Sequence, residues 1–137
     1  MVKLNLQFFG GGGGGGFPNT GGGSQAETLP NCKNAHIDPN KIINYVLNPN
    51  HPVGGNKARV FESALGFNQS NANQLMTQIQ QLLPNSSAIL GTKDPYGQRF
   101  TVDMRITGPN GNTATIRTGW IIEVGSTVPR LTTTYVR

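Results

Sequence analysis

The spacing of apolar residues changes once along this chain, near Pro84. Before that point they recur every three or four positions, as on one face of a helix; after it they recur every second position, as in a half-buried strand. Asp38-Pro39 opens the first predicted helix, because Asp can cap free N–H groups and Pro suits the first helical position. Ile42, Ile43, Val46 and Leu47 form its apolar stripe, and Asn48-Pro49 ends it. A second helix is predicted from about Lys57 to Leu65, with Val60, Phe61 and Leu65 inward and Gly66 as its stop. Ser70 is placed to cap a third, whose stripe is Leu75, Met76, Ile79, Leu82 and Leu83.

Beyond Pro84, Ala88-Ile-Leu reads as a strand, followed by the turn Asp94-Pro-Tyr-Gly97. From Arg99 to Thr107 the chain alternates: Phe100, Val102, Met104 and Ile106 share one face, and Arg99, Thr101, Asp103 and Arg105 the other. Gly108-Pro-Asn-Gly111 signals a hairpin. Ala114 to Val124 reads as a third strand anchored by Ile116, Trp120 and Ile122, and Arg130 to Val136 as a fourth. The expected fold class is α+β, with three N-terminal helices packed on one face of a four-stranded antiparallel sheet.

Residues 1–28 follow neither period. They contain the unbroken run Gly10 to Gly16 and a second run, Gly21 to Gly23, and so lower the hydrophobic content of the 137-residue chain to 35%. Such a tract has too few apolar side chains to offset its ordering entropy, so it is expected to be a disordered tether. Within it, Leu4-Asn-Leu-Gln-Phe-Phe9 is a short apolar patch suited to docking. Residues 29–137 are then expected to form a single domain. The formal charge is +5, and from Leu29 onward ten basic residues face five acidic ones, so the excess belongs to the folded part. That balance suits phosphates or an acidic protein partner. Cys32 is the only cysteine, which rules out an internal disulfide and fits a reducing cytosol. No apolar run approaches the roughly 20 residues of a membrane helix, so no membrane partner is expected.

Two groups of residues invite a chemical reading. The first is the segment from Asn48 to Glu62, where His51, Lys57 and Arg59 surround a Gly-Gly loop that enters a helix. A helix start offers free N–H groups to a phosphate, Lys57 would strengthen that site, and the His51 imidazole can give or take a proton. The alternative is a loop in which His51 only hydrogen-bonds across the turn while Lys57 and Arg59 are solvated. The second group is Arg99, Arg105, Arg117 and Arg130, interspersed with Thr101, Thr118, Thr132 and Thr134, a basic strand face that suits an RNA backbone. Its alternative is the ordinary polar face of a one-sided sheet. Trp120 reads as core, and Tyr135 is open to either role. No metal-ligand cluster, Walker-type loop or catalytic triad is legible, so no cofactor is expected.

The stretch from Pro39 to Phe67, with its His-Pro-Val-Gly and Lys-Ala-Arg-Val-Phe blocks, resembles an uncharacterised domain family. Its members occur at the C-termini of phage head-morphogenesis proteins and bacterial polymorphic toxins, and as small free-standing proteins. Pro95-Tyr-Gly, Gly108-Pro-Asn-Gly, Arg117-Thr-Gly-Trp-Ile-Ile and Pro129-Arg-Leu-Thr-Thr-Thr-Tyr135 extend the resemblance over about residues 29–136. Gly119 departs from it, since a larger apolar residue is expected there, with looser packing beside Trp120 as the consequence. Leu4-Asn-Leu-Gln-Phe-Phe-Gly10 is similar to the opening of many phage and prophage proteins of Gram-positive bacteria.

The resemblance implies a phage- or prophage-linked effector in the bacterial cytoplasm or on the phage particle. Effectors with helices followed by such a sheet are often metal-independent RNases, similar to barnase and the colicin nucleases. On that reading His51 is the acid or base, Lys57 and Arg117 bind phosphate, and Thr118 or Tyr135 is a supporting donor. Arg59, Arg99, Arg105 and Arg130 would then hold RNA, and an immunity protein would be the partner. The competing reading is a non-catalytic accessory module that docks on a phage structural protein.

Overall fold

The computed structural model describes residues 27–137. Helices and a four-stranded antiparallel sheet are both present, with the helices in mid-chain rather than at the N-terminus. The predicted leader lies outside the described residues apart from Glu27 and Thr28. The Glu27 carbonyl accepts from the Ala88 N–H at the start of the sheet. Leu29 and Ile37, on either side of a 3-10 turn at Cys32–Asn34, are buried and belong to the core.

The first helix begins where its cap predicts, with the Asp38 carboxylate accepting from the Asn40 N–H at 2.9 Å. One α-helical turn, α1 (Pro39–Lys41), widens at once into a π-helical stretch, Ile42–Val46. Ile42, Val46 and Leu47 are buried. Helix α2 (Gly55–Leu65) starts earlier than predicted and buries Ala58, Phe61 and Leu65. Val60 is 44% exposed, contrary to expectation, because it lies off the stripe those three residues set. Gly66 ends the helix at φ 84°, a left-handed conformation that glycine adopts without steric cost. Helix α3 (Ala72–Leu82) is preceded by a 3-10 turn at Gln69–Asn71 that Asn68, not Ser70, caps. Asn68 and Asn71 satisfy each other's backbone in a reciprocal box.

Strands β1 (Ala88–Asp94), β2 (Gly97–Thr107), β3 (Thr113–Glu123) and β4 (Arg130–Val136) form a meander in that order. Val102, Met104, Ile106, Ile116, Trp120 and Leu131 face the helices and make one core with Phe61, Leu65, Leu75 and Ile79. Trp120, next to Gly119, is 1% exposed. A Cβ at Gly119 would crowd the Thr132 and Thr133 side chains. Thr118, also on the helix side, donates to the Val102 carbonyl at 2.7 Å and accepts the Trp120 indole N–H at 2.8 Å. Ile121, not the expected Ile122, is fully buried. It lies just past a register shift between Gly119 and Trp120.

Among the described residues, the opposite sheet face carries no helix. Its residues form rungs across β2, β3 and β4: Arg105 and Thr115; Asp103, Arg117 and Tyr135; Thr101, Gly119 and Thr133; Arg99, Ile121 and Arg130. The hairpin between β2 and β3 is pinned to the end of α2 at Gly108, where a Cβ would overlap the Leu65 carbonyl. Asn110 N–H donates to that same carbonyl at 3.2 Å.

Thr118→Val is expected to lower stability by roughly 1–3 kcal/mol, since it strands the buried indole N–H of Trp120. Urea unfolding checks this, and an unchanged midpoint would show that the indole finds another acceptor.

Candidate functional site

On the helix-free face, the rung Asp103–Arg117–Tyr135 gathers more charge than its neighbours. Arg117 lies directly opposite Asp103 and donates from Nε and Nη2 to its two carboxylate oxygens at 2.9 and 3.0 Å. Arg137 reaches over from the end of β4 and donates from Nη1 to the same carboxylate at 2.7 Å. Its backbone N–H is held by the Thr115 carbonyl at 2.9 Å. One carboxylate therefore orients two guanidinium groups, with the fork geometry that arginine presents to carboxylates. Arg117, and more weakly Arg137, holds the Asp103 carboxyl below the usual carboxylate range against its partial burial. Asp103, and less strongly Tyr135, pushes Arg117 above the usual arginine range.

The fourth component comes from the helical layer. Lys57, in the first turn of α2, places its ammonium 4.6 Å from the centroid of the Tyr135 ring, a cation–π contact. Tyr135 thus sits between Lys57 on one side and Arg117 on the other. Its position is set by its pairing with Arg117 across β3 and β4. Among the described residues, four cationic side chains, Lys57, Arg105, Arg117 and Arg137, share this end of the face with one carboxylate, that of Asp103. An excess of positive charge beside a tyrosine ring suits a phosphodiester.

The other candidates lie elsewhere. His51 Nδ1 accepts the N–H groups of Val53 and Gly54 at 3.0 and 3.1 Å. Its ring stands edge-on to Tyr45 with 4.7 Å between centroids. Its acceptor nitrogen is therefore occupied in closing the loop before α2. No hydrogen bond or ion pair joins His51 to Lys57 or Arg117 among the described residues. Thr118 is buried on the helix side of the sheet, away from Arg117. Arg59 clamps the loop, donating to the Pro49 carbonyl at 2.8 Å and to Asn56 at 2.7 Å. Arg99 pairs with Asp94 at 2.7 Å and Arg130 with Glu123 at 3.2 Å. Arg105 is exposed and has no carboxylate partner among the described residues; its guanidinium donates to Thr113 Oγ1 at 3.0 Å. Asp103 and Arg137 were not among the candidates. Alternation placed Asp103 on the polar face, but its meeting with Arg117 depends on the register between strands.

A concavity of about 310 Å³ beside α2, lined by Leu47, Pro49, Ala58, Glu62, Phe67 and Asn68 among others, contains none of the candidate residues. Among the described residues no helix is long and apolar enough to cross a membrane, and no cluster of three metal-ligating side chains occurs.

Residues 28–137 match the model of a domain of unknown function, DUF6883. The chain belongs to the DUF6883 family. No curated protein matches the chain. A solved structure, a contact-dependent growth inhibition toxin–immunity protein complex from Klebsiella pneumoniae 342, contains a similar chain. The TM-score is 0.55 at 16% identity, over 74% of this chain and 98% of that one. At that identity the likeness is one of fold. It attaches this DUF6883 domain to an architecture seen in a toxin–immunity assembly.

Asp103→Asn is expected to cost on the order of 1 kcal/mol, as it loosens a partly exposed three-member ion pair. Because the folded state depresses the Asp103 pKa, its contribution is present above the unfolded value near 4 and fades as pH falls through the folded value. Thermal melts at neutral and at acid pH should show the variant's deficit shrinking with acidification; a deficit independent of pH would argue against the charge pairing as its cause.

Proposed function

We propose that this domain is a toxin-type effector that cleaves RNA without a metal ion, with its centre at Lys57, Arg117 and Tyr135. The observation that carries the reading is the convergence of a lysine from α2 and an arginine from β3 on one tyrosine of β4. In such a reaction the ribose 2′-oxygen forms a bond to phosphorus and the bond to the 5′-oxygen breaks. The 2′-proton leaves to a base and the departing 5′-oxygen gains a proton. Lys57 and Arg117 stabilise the charge that accumulates on the phosphorane oxygens, already oriented before the substrate arrives. The Tyr135 hydroxyl gives its proton to the departing 5′-oxygen, and solvent water takes the 2′-proton. Asp103, held in its ionised form by two arginines, positions Arg117 and is a weak base. The likeness is to a chain of a toxin–immunity complex, as the toxin or as its immunity protein; taken as the toxin side, it supports an effector with an immunity protein as partner.

This assignment moves the acid–base role from His51 to Tyr135. His51 closes the loop that starts α2, and so sets where Lys57 stands. A non-catalytic partner-binding module is the second reading. It is favoured by one observation: Asp103 already compensates two of the arginines, as in a surface built to be stable rather than reactive.

Induced expression of the full chain in a bacterial host, followed by RNA integrity on a gel, separates the two. Cleavage by the wild type that falls at least about a hundredfold in Tyr135→Phe and Arg117→Ala supports the catalytic reading. His51→Ala, if folded, should lower cleavage less than Tyr135→Phe does, because it acts only through the placement of Lys57. Intact RNA from a soluble, folded wild type would favour the binding module, and cleavage lost only in His51→Ala would return the acid–base role to the histidine.

A further inference from the structure

The rung next to Asp103–Arg117–Tyr135, two residues along the strands toward the β2–β3 hairpin, is built differently from the other two. Thr115 occupies its centre on β3, with Arg105 opposite it on β2. On the β4 side Arg137 is tied to the Thr115 carbonyl through its backbone N–H. Two arginine backbones therefore flank one threonine, while their guanidiniums part: Arg137 reaches back to Asp103 and Arg105 donates to Thr113 Oγ1 on the hairpin side. Arg105 has no carboxylate partner among the described residues, and Arg137 shares Asp103 with Arg117. In the opposite direction the face loses its available charge. The next rung is Thr101, Gly119 and Thr133, with no ionisable group, and the arginines of the rung beyond it are paired with Asp94 and Glu123.

We propose that Arg105 forms a second phosphate subsite one rung beyond the first, so that the ligand of this face is an extended single strand of RNA held by two consecutive phosphates. Residues two apart on a strand are about 6.6–6.8 Å apart. That separation is comparable with the step between neighbouring phosphates of an extended strand lying parallel to β3. The first phosphate sits at Lys57, Arg117 and Tyr135, with Arg137 beside them on Asp103, and the second at Arg105. A duplex would need a further row of unpaired cations across its groove, and the neutral and paired rungs do not offer one. The subsite rests on the proposed reading of this face as an RNA site, and it adds the strandedness and the length of what is bound.

The test uses the full chain and fluorescein-labelled 2′-O-methyl oligoribonucleotides, which lack the attacking hydroxyl and cannot be cleaved. Fluorescence anisotropy should show a trinucleotide, with two internal phosphates, bound about tenfold more tightly than a dinucleotide, and little further gain for a hexanucleotide. Arg105→Ala should remove most of that step and lower the salt dependence of trinucleotide binding by about one unit of slope. Arg105 is exposed, so an unchanged thermal melt is expected and would show that the fold is intact. Arg99→Ala, which alters a paired arginine outside both subsites, should keep the step. An equal step in wild type and Arg105→Ala, or a duplex bound as tightly as the single strand, would overturn the subsite. Absence of binding by any oligonucleotide would overturn the nucleic-acid reading and the subsite with it. A clear length step together with no cleavage of the 2′-hydroxyl counterpart would sink catalysis while supporting the subsite.

Discussion

Eleven consecutive cross-strand pairs, from Gly97–Glu123 to Thr107–Thr113, lock β2 to β3 without a slip. Because side chains alternate strictly along each strand, that register decides both faces of the sheet at once. A shift of one residue would turn Val102, Met104 and Ile106 into solvent and carry Asp103 and Arg105 into the core. The large cost of burying those charges, together with the loss of apolar burial, leaves a single acceptable alignment. The charged rungs are thus the reverse side of the hydrophobic core, and the register that packs Trp120 also delivers Arg117 to Asp103.

Polar groups on the helix side are treated differently. Thr118 and Trp120 satisfy each other, and Thr118 in turn bonds to the Val102 carbonyl, so β2 and β3 are tied inside the core as well as along the ladder. Gly108 brings the β2–β3 hairpin against the end of α2, and the Arg59 and His51 contacts hold the loop at its beginning. With both ends of α2 held, Lys57 has a defined place from which to meet Tyr135. The residues that first invited a catalytic reading, His51 and Thr118, belong to the supporting frame rather than to the cluster that frame positions.

Much of the fold was legible because its causes are local or periodic. The change of period near Pro84, the Asp38-Pro39 cap, the stop at Gly66 and the alternation from Arg99 to Thr107 each express a constraint acting within a few residues. The misplaced details share a reason too. Val60 lay within the apolar set but off its stripe, and Ser70 was credited with a cap that Asn68 makes through a reciprocal bond to Asn71. Both require knowing which face meets the core or which neighbour answers.

By itself, then, the amino-acid sequence determined the order and type of the elements, the polar face of β2 with Asp103 on it, and the excess of positive charge. Those follow from spacing and composition. Only the tertiary structure decided that Asp103 meets Arg117 and Arg137, that Lys57 meets Tyr135, that Arg99 and Arg130 are neutralised, and that His51 faces its own loop. Each of those meetings joins residues through strand register or through the docking of α2. Register and docking are set by the packing of the whole core, which no local pattern encodes.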